Sequence, residues 1–214
     1  MKAIVLLSGG IDSATALYST VRGGAEAHAL TFDYELRQSP ELAAAERIAR
    51  AAGVSQSVVE LPFYKSLPSS PSSSDEVLED GDSGISSAYV PARNAVFFGI
   101  AAAYAEALGA GLIVSGHNGQ DAGRFPDAGA AFLEAMNGAL SLGMKGPAPE
   151  VKMPLKDMTK TAVVGEAIRL GVPLELTWSC YNNGKTRCGG CYGCTSRAGA
   201  FAALGMRDPL EVPA

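Results

Sequence analysis

The run that most constrains this chain lies at its start. AIVLL (3–7) is an apolar stretch broken by Ser8-Gly9-Gly10, and a helical pattern follows from about Asp12 to Arg22, ending at Gly23-Gly24. A short apolar run closed by a glycine turn reads as a strand buried on both faces, and such strands belong to parallel sheets covered by helices. The unit then repeats. EAHALTF (26–32) alternates as a second strand. Ser39-Pro40-Glu41 opens a helix with proline at its first position and an acid in its first turn, and Leu42, Ala45, Ile48, Ala49 and Ala52 form its apolar face up to Gly53. Residues 55–61 and 111–116 read as further strands, and helices are expected over about 93–108, 130–142 and 157–170. The 93–108 helix is apolar nearly all round, which predicts a central or subunit-interface position. The 157–170 helix opens at Asp157 or Thr159 and closes at Gly171. This alternation predicts an α/β fold: an open, Rossmann-like parallel sheet with helices on both faces.

The chain has 214 residues, a length that suits a single domain (1–214). Its formal charge of −5 equals the contribution of Asp75, Glu76, Glu79, Asp80 and Asp82, so the body is near neutral. No basic stripe tracks a phosphate backbone, which argues against direct nucleic-acid binding. No apolar run is long enough to span a membrane, and the N-terminus is too short for a secretory signal, so a cytoplasmic enzyme is expected. Residues 66–87 combine Ser, Pro and those acids and are expected to form a mobile loop, either a lid or a surface insertion.

LSGGIDS (7–13) carries the strongest chemical signal. Adjacent glycines let the backbone turn with its N–H groups converging on an anion, and the helix N-terminus behind adds positive potential. Ser8 and Ser13 can donate hydroxyl hydrogen bonds to phosphate oxygens. Asp12 can orient the loop or help hold the magnesium ion of a nucleotide. No lysine lies in the loop, so the kinase and GTPase type of phosphate loop is excluded. The four cysteines of the chain, Cys180, Cys188, Cys191 and Cys194, follow a C-x7-C-x2-C-x2-C pattern. Four thiolates on one knuckle match a structural tetrahedral zinc site without an open catalytic position. Two disulfides suit a cytoplasmic chain poorly, and CxxC redox chemistry uses only two cysteines. With all four engaged, no cysteine remains for other chemistry.

SGGIDS after an N-terminal strand resembles the signature of the PP-loop ATP pyrophosphatases, which have an adenine nucleotide alpha-hydrolase-like fold. That resemblance implies cleavage of ATP between its α and β phosphates, with Leu7, Ser8, Gly9, Gly10, Ile11, Asp12 and Ser13 gripping the pyrophosphate and Thr31 and Asp33 near the adenosine. The full series is narrower: TFDY (31–34), YVPARN (89–94), SGHNGQD (115–121), FPD (125–127), PLKDMTK (154–160), ELTWSC (175–180) and CGGCYGC (188–194). In order and spacing it is similar to the 7-cyano-7-deazaguanine synthase family over nearly the whole chain.

The resemblance implies a carbon–nitrogen ligase, expected as a homodimer. It would adenylate the carboxylate of 7-carboxy-7-deazaguanine and use ammonia to form the amide and then the nitrile, in queuosine or archaeosine precursor synthesis. The implied cofactors are ATP, Mg2+ and structural Zn2+. Arg93 would meet a carboxylate or phosphate and Lys160 a phosphate, both acting with Asp12 and Ser13 in catalysis. Tyr89, Asn94, His117, Phe125 and Asp127 would line the substrate site, with Asp127 accepting from an amino-pyrimidinone edge and Phe125 or Tyr89 stacking on the ring. Trp178 is expected in the core, and His28 as a structural residue. Residues 178–204 would form the zinc knuckle and a helix, the latter from Thr195. The chain departs from the family pattern at Glu35, Leu36 and Gln38, and at Ala128 and Gly129 after FPD. Two other readings fit the same motifs: a paralogue that passes the activated acid to another amine, for example on a protein, and a non-catalytic adenine-nucleotide-binding module.

Overall fold

The computed structural model describes residues 1–34, 40–67, 89–181 and 186–210. Five strands, β1 (Lys2–Leu6), β2 (Glu26–Asp33), β3 (Ser55–Glu60), β4 (Leu112–Val114) and β5 (Glu150–Lys152), form one sheet in the order β3-β2-β1-β4-β5. Every pairing is parallel. Helices α1 (Ile11–Arg22), α2 (Pro40–Ala52), α5 (Lys160–Leu170) and α6 (Tyr192–Ala203) cover one face, while α3 (Arg93–Leu108) and α4 (Ala130–Gly143) cover the other. The apolar run at the start explains the centre. Ala3, Val5 and Leu7 pack into the first core, and Ile4 and Leu6 into the second. The chain leaves β1 to one side for β2 and reaches β4 on the other. The crevice beyond the ends of β1 and β4 is therefore a topological switch point, where ligands of open α/β sheets sit.

Three features differ from the sequence reading. α3 is not central. Phe98, Ala101, Ala102 and Ala105 face the sheet, while Ala103, Glu106, Ala107 and Leu108 are exposed, because its many alanines hide which face is buried. β5 is an additional strand, unforeseen because only Val151 of its three residues is buried. Asn137 of α4 covers the backbone of Val151, donating from Nδ2 to its carbonyl at 3.2 Å and accepting its N–H at 2.7 Å. Finally, α6 begins at Tyr192 rather than Thr195, with Cys191 as its N-cap. Residues 68–87 of the expected acidic loop, and positions 35, 36 and 38, lie outside the described residues.

The sheet core carries the stability of the site above it. Phe98 is fully buried against the β1 and β4 side chains. Phe98→Ala is expected to cost about 3–5 kcal/mol in urea unfolding, the range for truncating a large core aromatic.

Candidate active site

The site begins where β1 ends. Gly9 has φ +89, the left-handed region, and a Cβ there would collide with the Glu41 carbonyl, so only glycine lets α2 pack on the turn. Within the turn, the Ser8 backbone N–H donates to Ser13 Oγ at 3.1 Å, Ser8 Oγ and Ser13 Oγ lie 3.0 Å apart, and Ser13 Oγ donates to the Gly10 carbonyl at 3.1 Å. Leu7 and Ile11 anchor the two ends in the core. From β4, Gly116 lies so close that a Cβ would be 2.7 Å from the Ser13 backbone. Thr31 ties this region together: its hydroxyl donates to the Leu7 carbonyl at 2.8 Å and accepts from Gln56 at 2.8 Å. Asp33 ends β2 half-exposed, at the same carboxyl end of the sheet.

Lys160 opens α5 behind the Thr159 N-cap and donates to both carboxylate oxygens of Asp12, at 2.8 and 2.7 Å. The sequence separates these two residues widely, and the fold joins them. Asn118 Nδ2 approaches Asp12 Oδ2 at 3.4 Å, and the Asn118 N–H donates to Asp121 Oδ2 at 2.8 Å. Burial pushes the Asp121 carboxyl above its ordinary pKa, and the negative charge of Asp12 adds to this. Asn118 and Asp121 are the site residues that sequence reasoning left unassigned. Their signal was present in SGHNGQD, immediately past a buried strand.

The opposite wall comes from α3 and the segment 115–127. Arg93 donates from Nη1 to the Tyr34 hydroxyl at 3.0 Å and lies over the rings of Tyr34 and Phe125, at 5.6 and 6.0 Å. Ala92 before it has φ 53, the one positive-φ non-glycine among the described residues, and its N–H donates to the Tyr89 hydroxyl at 3.2 Å. Asp127 is buried, and its Oδ2 accepts the Asn94 N–H at 3.0 Å, so it caps α3. Asn94 Nδ2 donates to the Asp127 carbonyl and to His117 Nε2, both at 3.0 Å. An amide nitrogen only donates, so Nε2 must accept, and the His117 proton sits on Nδ1, facing Ser115 Oγ. Burial, then the charge of Arg93, pushes the His117 pKa down to about 4. Asn94, His117 and Asp127 thus form one network that fixes the wall. Ala128 is buried, and Gly129 caps α4. His28 lies elsewhere, held between Ser55 and Ser57 of β3 at 2.8 and 2.9 Å.

The cysteines also converge. The sulfurs of Cys180, Cys188, Cys191 and Cys194 all lie within 4.8 Å of one another, close to the roughly 3.8 Å edges of a tetrahedron with 2.3 Å metal–sulfur bonds. None is in a disulfide. Backbone N–H groups of Cys188, Cys191 and Tyr181 donate to sulfurs at 3.3, 3.3 and 3.4 Å, which favours thiolates. The donor set fits a tetrahedral metal ion.

Comparison with known proteins decides the family. The model of queuosine biosynthesis protein QueC matches residues 2–205. The chain belongs to the QueC family. It is similar to the 7-cyano-7-deazaguanine synthase of Thermoplasma acidophilum, with 40% identity covering 98% of this chain and 91% of that protein. It is also similar to that of Trichormus variabilis, with 39% identity covering 98% and 97%. Among solved structures, a 4-thiouridine synthetase–RNA complex with bound ATP shares the fold at TM-score 0.57, with 22% identity over 88% of this chain and 44% of that one. The NMN synthetase of Francisella tularensis does so at TM-score 0.54, with 19% identity over 96% and 77%. The chain is thus an enzyme of the ATP-dependent ligase kind, on a fold shared with those two structures. No helix among its described residues is long and apolar enough to cross a membrane.

Two expectations follow from the geometry. Gly116→Ala should displace the Ser13 backbone, so nucleotide affinity should fall more than tenfold, read by calorimetric titration. The His117 pKa is lower folded than unfolded, so below about pH 6.5 the unfolded chain binds the extra proton. Stability contributed by neutral His117 should be lost as pH falls from about 6.5 to about 4. In His117→Gln this part of the acid destabilisation should be missing, as measured by urea unfolding at pH 7 and 4.5.

Proposed function

We propose that this chain adenylates the carboxylate of 7-carboxy-7-deazaguanine and replaces it, through the amide, by a nitrile. The observation that carries the reading is the convergence of the serine–glycine turn, the Lys160–Asp12 pair and Arg93 on one crevice at the switch point of a QueC-family sheet. A carboxylate oxygen attacks the α-phosphorus of ATP, the α–β bridging P–O bond breaks, and pyrophosphate leaves with the electron pair. Ammonia then adds to the acyl carbon, AMP departs, and a proton is lost. In the second round the amide oxygen is adenylated with loss of one N–H proton, and AMP is then eliminated with loss of the other to leave the nitrile. That round needs no second ammonia.

Roles follow from placement. Ser8, Ser13 and the loop N–H groups hold the pyrophosphate, where charge grows as the bond breaks. Lys160 exchanges Asp12 for phosphate oxygens, and Asp12, with Asp121 near it, becomes available to the magnesium of the nucleotide. Thr31 and Asp33 lie on the adenosine side. Arg93 draws the substrate carboxylate, with Tyr89 and Phe125 against the deazapurine. Neutral His117 supplies shape and hydrogen bonding without a charge. We further propose one zinc per chain in the knuckle of residues 178–204, and cytoplasmic action as a single domain.

Mass spectrometry of a reaction with ATP, ammonia and 7-carboxy-7-deazaguanine should show the nitrile with AMP and pyrophosphate. An adduct formed only with lysine side-chain amines would mark a different acceptor, and ADP with phosphate would contradict the reading. Ser13→Ala removes one donor that matters most in the transition state and should lower kcat by about 10²–10³. Cys191→Ser should yield strongly destabilised protein with little zinc in elemental analysis.

A further inference from the structure

Trp178 stands between two sites that are distant in sequence. Its backbone N–H donates to the Gly9 carbonyl at 2.9 Å, and its indole Nε1–H donates to the carbonyl of Cys180 at 2.9 Å. One residue thus touches both the phosphate loop and the backbone of a metal-ligating cysteine.

The consequence for the loop is geometric. The Gly9–Gly10 peptide is trans and planar, so its C=O and N–H point to opposite sides. When Trp178 holds the Gly9 carbonyl on one side, the Gly10 N–H must face the other. There it lies 3.4 Å from Ser8 Oγ, among the donors that the turn presents to an anion. The orientation of one loop donor is therefore set by where Trp178 sits.

What holds Trp178 is a buried ionic knot. Arg197 of α6 is fully buried and donates to Thr177 Oγ1 at 2.7 Å, to the Leu174 carbonyl at 3.1 Å, and to both oxygens of Asp208 at 2.8 Å. Arg187, next to Cys188, donates to Asp208 at 2.8 Å and to the Leu210 carbonyl. Thr177 Oγ1 donates to the Leu174 carbonyl at 2.6 Å. The helix bearing Arg197 is the one that Cys191 caps and whose first turn holds Cys194. Closing the cysteine cluster fixes that helix, the helix fixes Arg197, and Arg197 fixes the segment running into Trp178.

We propose that Trp178 is a positioning residue that couples metal occupancy of the cysteine cluster to the shape of the phosphate loop. It acts through the Gly9 carbonyl, so that zinc and the nucleotide strengthen each other's binding. The inference rests on the nucleotide-binding part of the function proposed above, not on the identity of the carboxylate.

Such coupling is reciprocal and typically 5–150-fold. The test is an equilibrium competition for zinc between the full chain and a chromophoric chelator, with and without saturating magnesium ATP. ATP should tighten zinc binding at least fivefold, and zinc should tighten ATP binding, by titration, by the same factor. Trp178 is the sole tryptophan, so its emission should shift in both titrations. Trp178→Phe keeps the backbone hydrogen bond and removes the indole donor. Thr177→Val removes the Arg197 contact. Both should still bind one zinc, with the mutual effect reduced toward unity. A purely structural knuckle leaves zinc affinity the same with and without ATP, and that result, with ATP shown to bind, would overturn the coupling alone. No ATP binding by the zinc-loaded chain would overturn the coupling and the proposed function together. Reciprocal coupling without nitrile formation would support the coupling and remove only the substrate assignment.

Discussion

The close approach of three backbones at the end of β1 is the constraint on which the site depends. Gly9 admits α2 from one side, and Gly116 admits β4 against Ser13 from another. Neither contact tolerates a Cβ, so the turn is wedged rather than free to sample conformations. This rigidity suits the lysine-free loop to the anion proposed for it. Converging N–H and hydroxyl donors stabilise charge only when they need not reorganise. The apolar core beneath supplies the stiffness, through β1 side chains that alternate between two packed faces.

Charge in the crevice is arranged in local pairs. Lys160 is neutralised by Asp12, and Arg93 lies among the aromatic rings of Tyr34 and Phe125. A part-buried lysine–carboxylate pair gains little net stability once desolvation is counted, which agrees with the proposed role of Lys160 toward an incoming anion. Asp127 and His117 take a different course. Asp127 caps a helix with one carboxylate oxygen, and His117 is driven to the neutral state, so its ring shapes the wall without adding charge.

Much of this was legible in the sequence because the signals were local. The AIVLL run, the glycine turn and the cap at Thr159 each depend on neighbours a few residues away, and α3 was bounded at both ends as found. The four cysteines needed only spacing to be recognised as a cluster. What escaped depended on tertiary partners. β5 is a strand because α4 offers Asn137 to its backbone, not because its residues alternate. The bond from the Asn94 N–H to Asp127, and the Thr31 hydroxyl that ties β1 to β2, join partners far apart in sequence. The pairing of Asp12 with Lys160 leaves no trace in either local sequence. Arg197 and Asp208 were likewise silent, since a buried arginine in a helix of small residues reads as a surface one.

The proposed reaction requires the loop at residues 8–13 to receive pyrophosphate as the leaving group while a carboxylate attacks the α-phosphorus. Isotope transfer tests this most directly. The substrate, 7-carboxy-7-deazaguanine labelled with oxygen-18 in its carboxylate, is turned over with ATP and ammonia, and the phosphorus products are resolved by mass. The label is expected in AMP and absent from pyrophosphate. Label in inorganic phosphate or in pyrophosphate, with none in AMP, would contradict it.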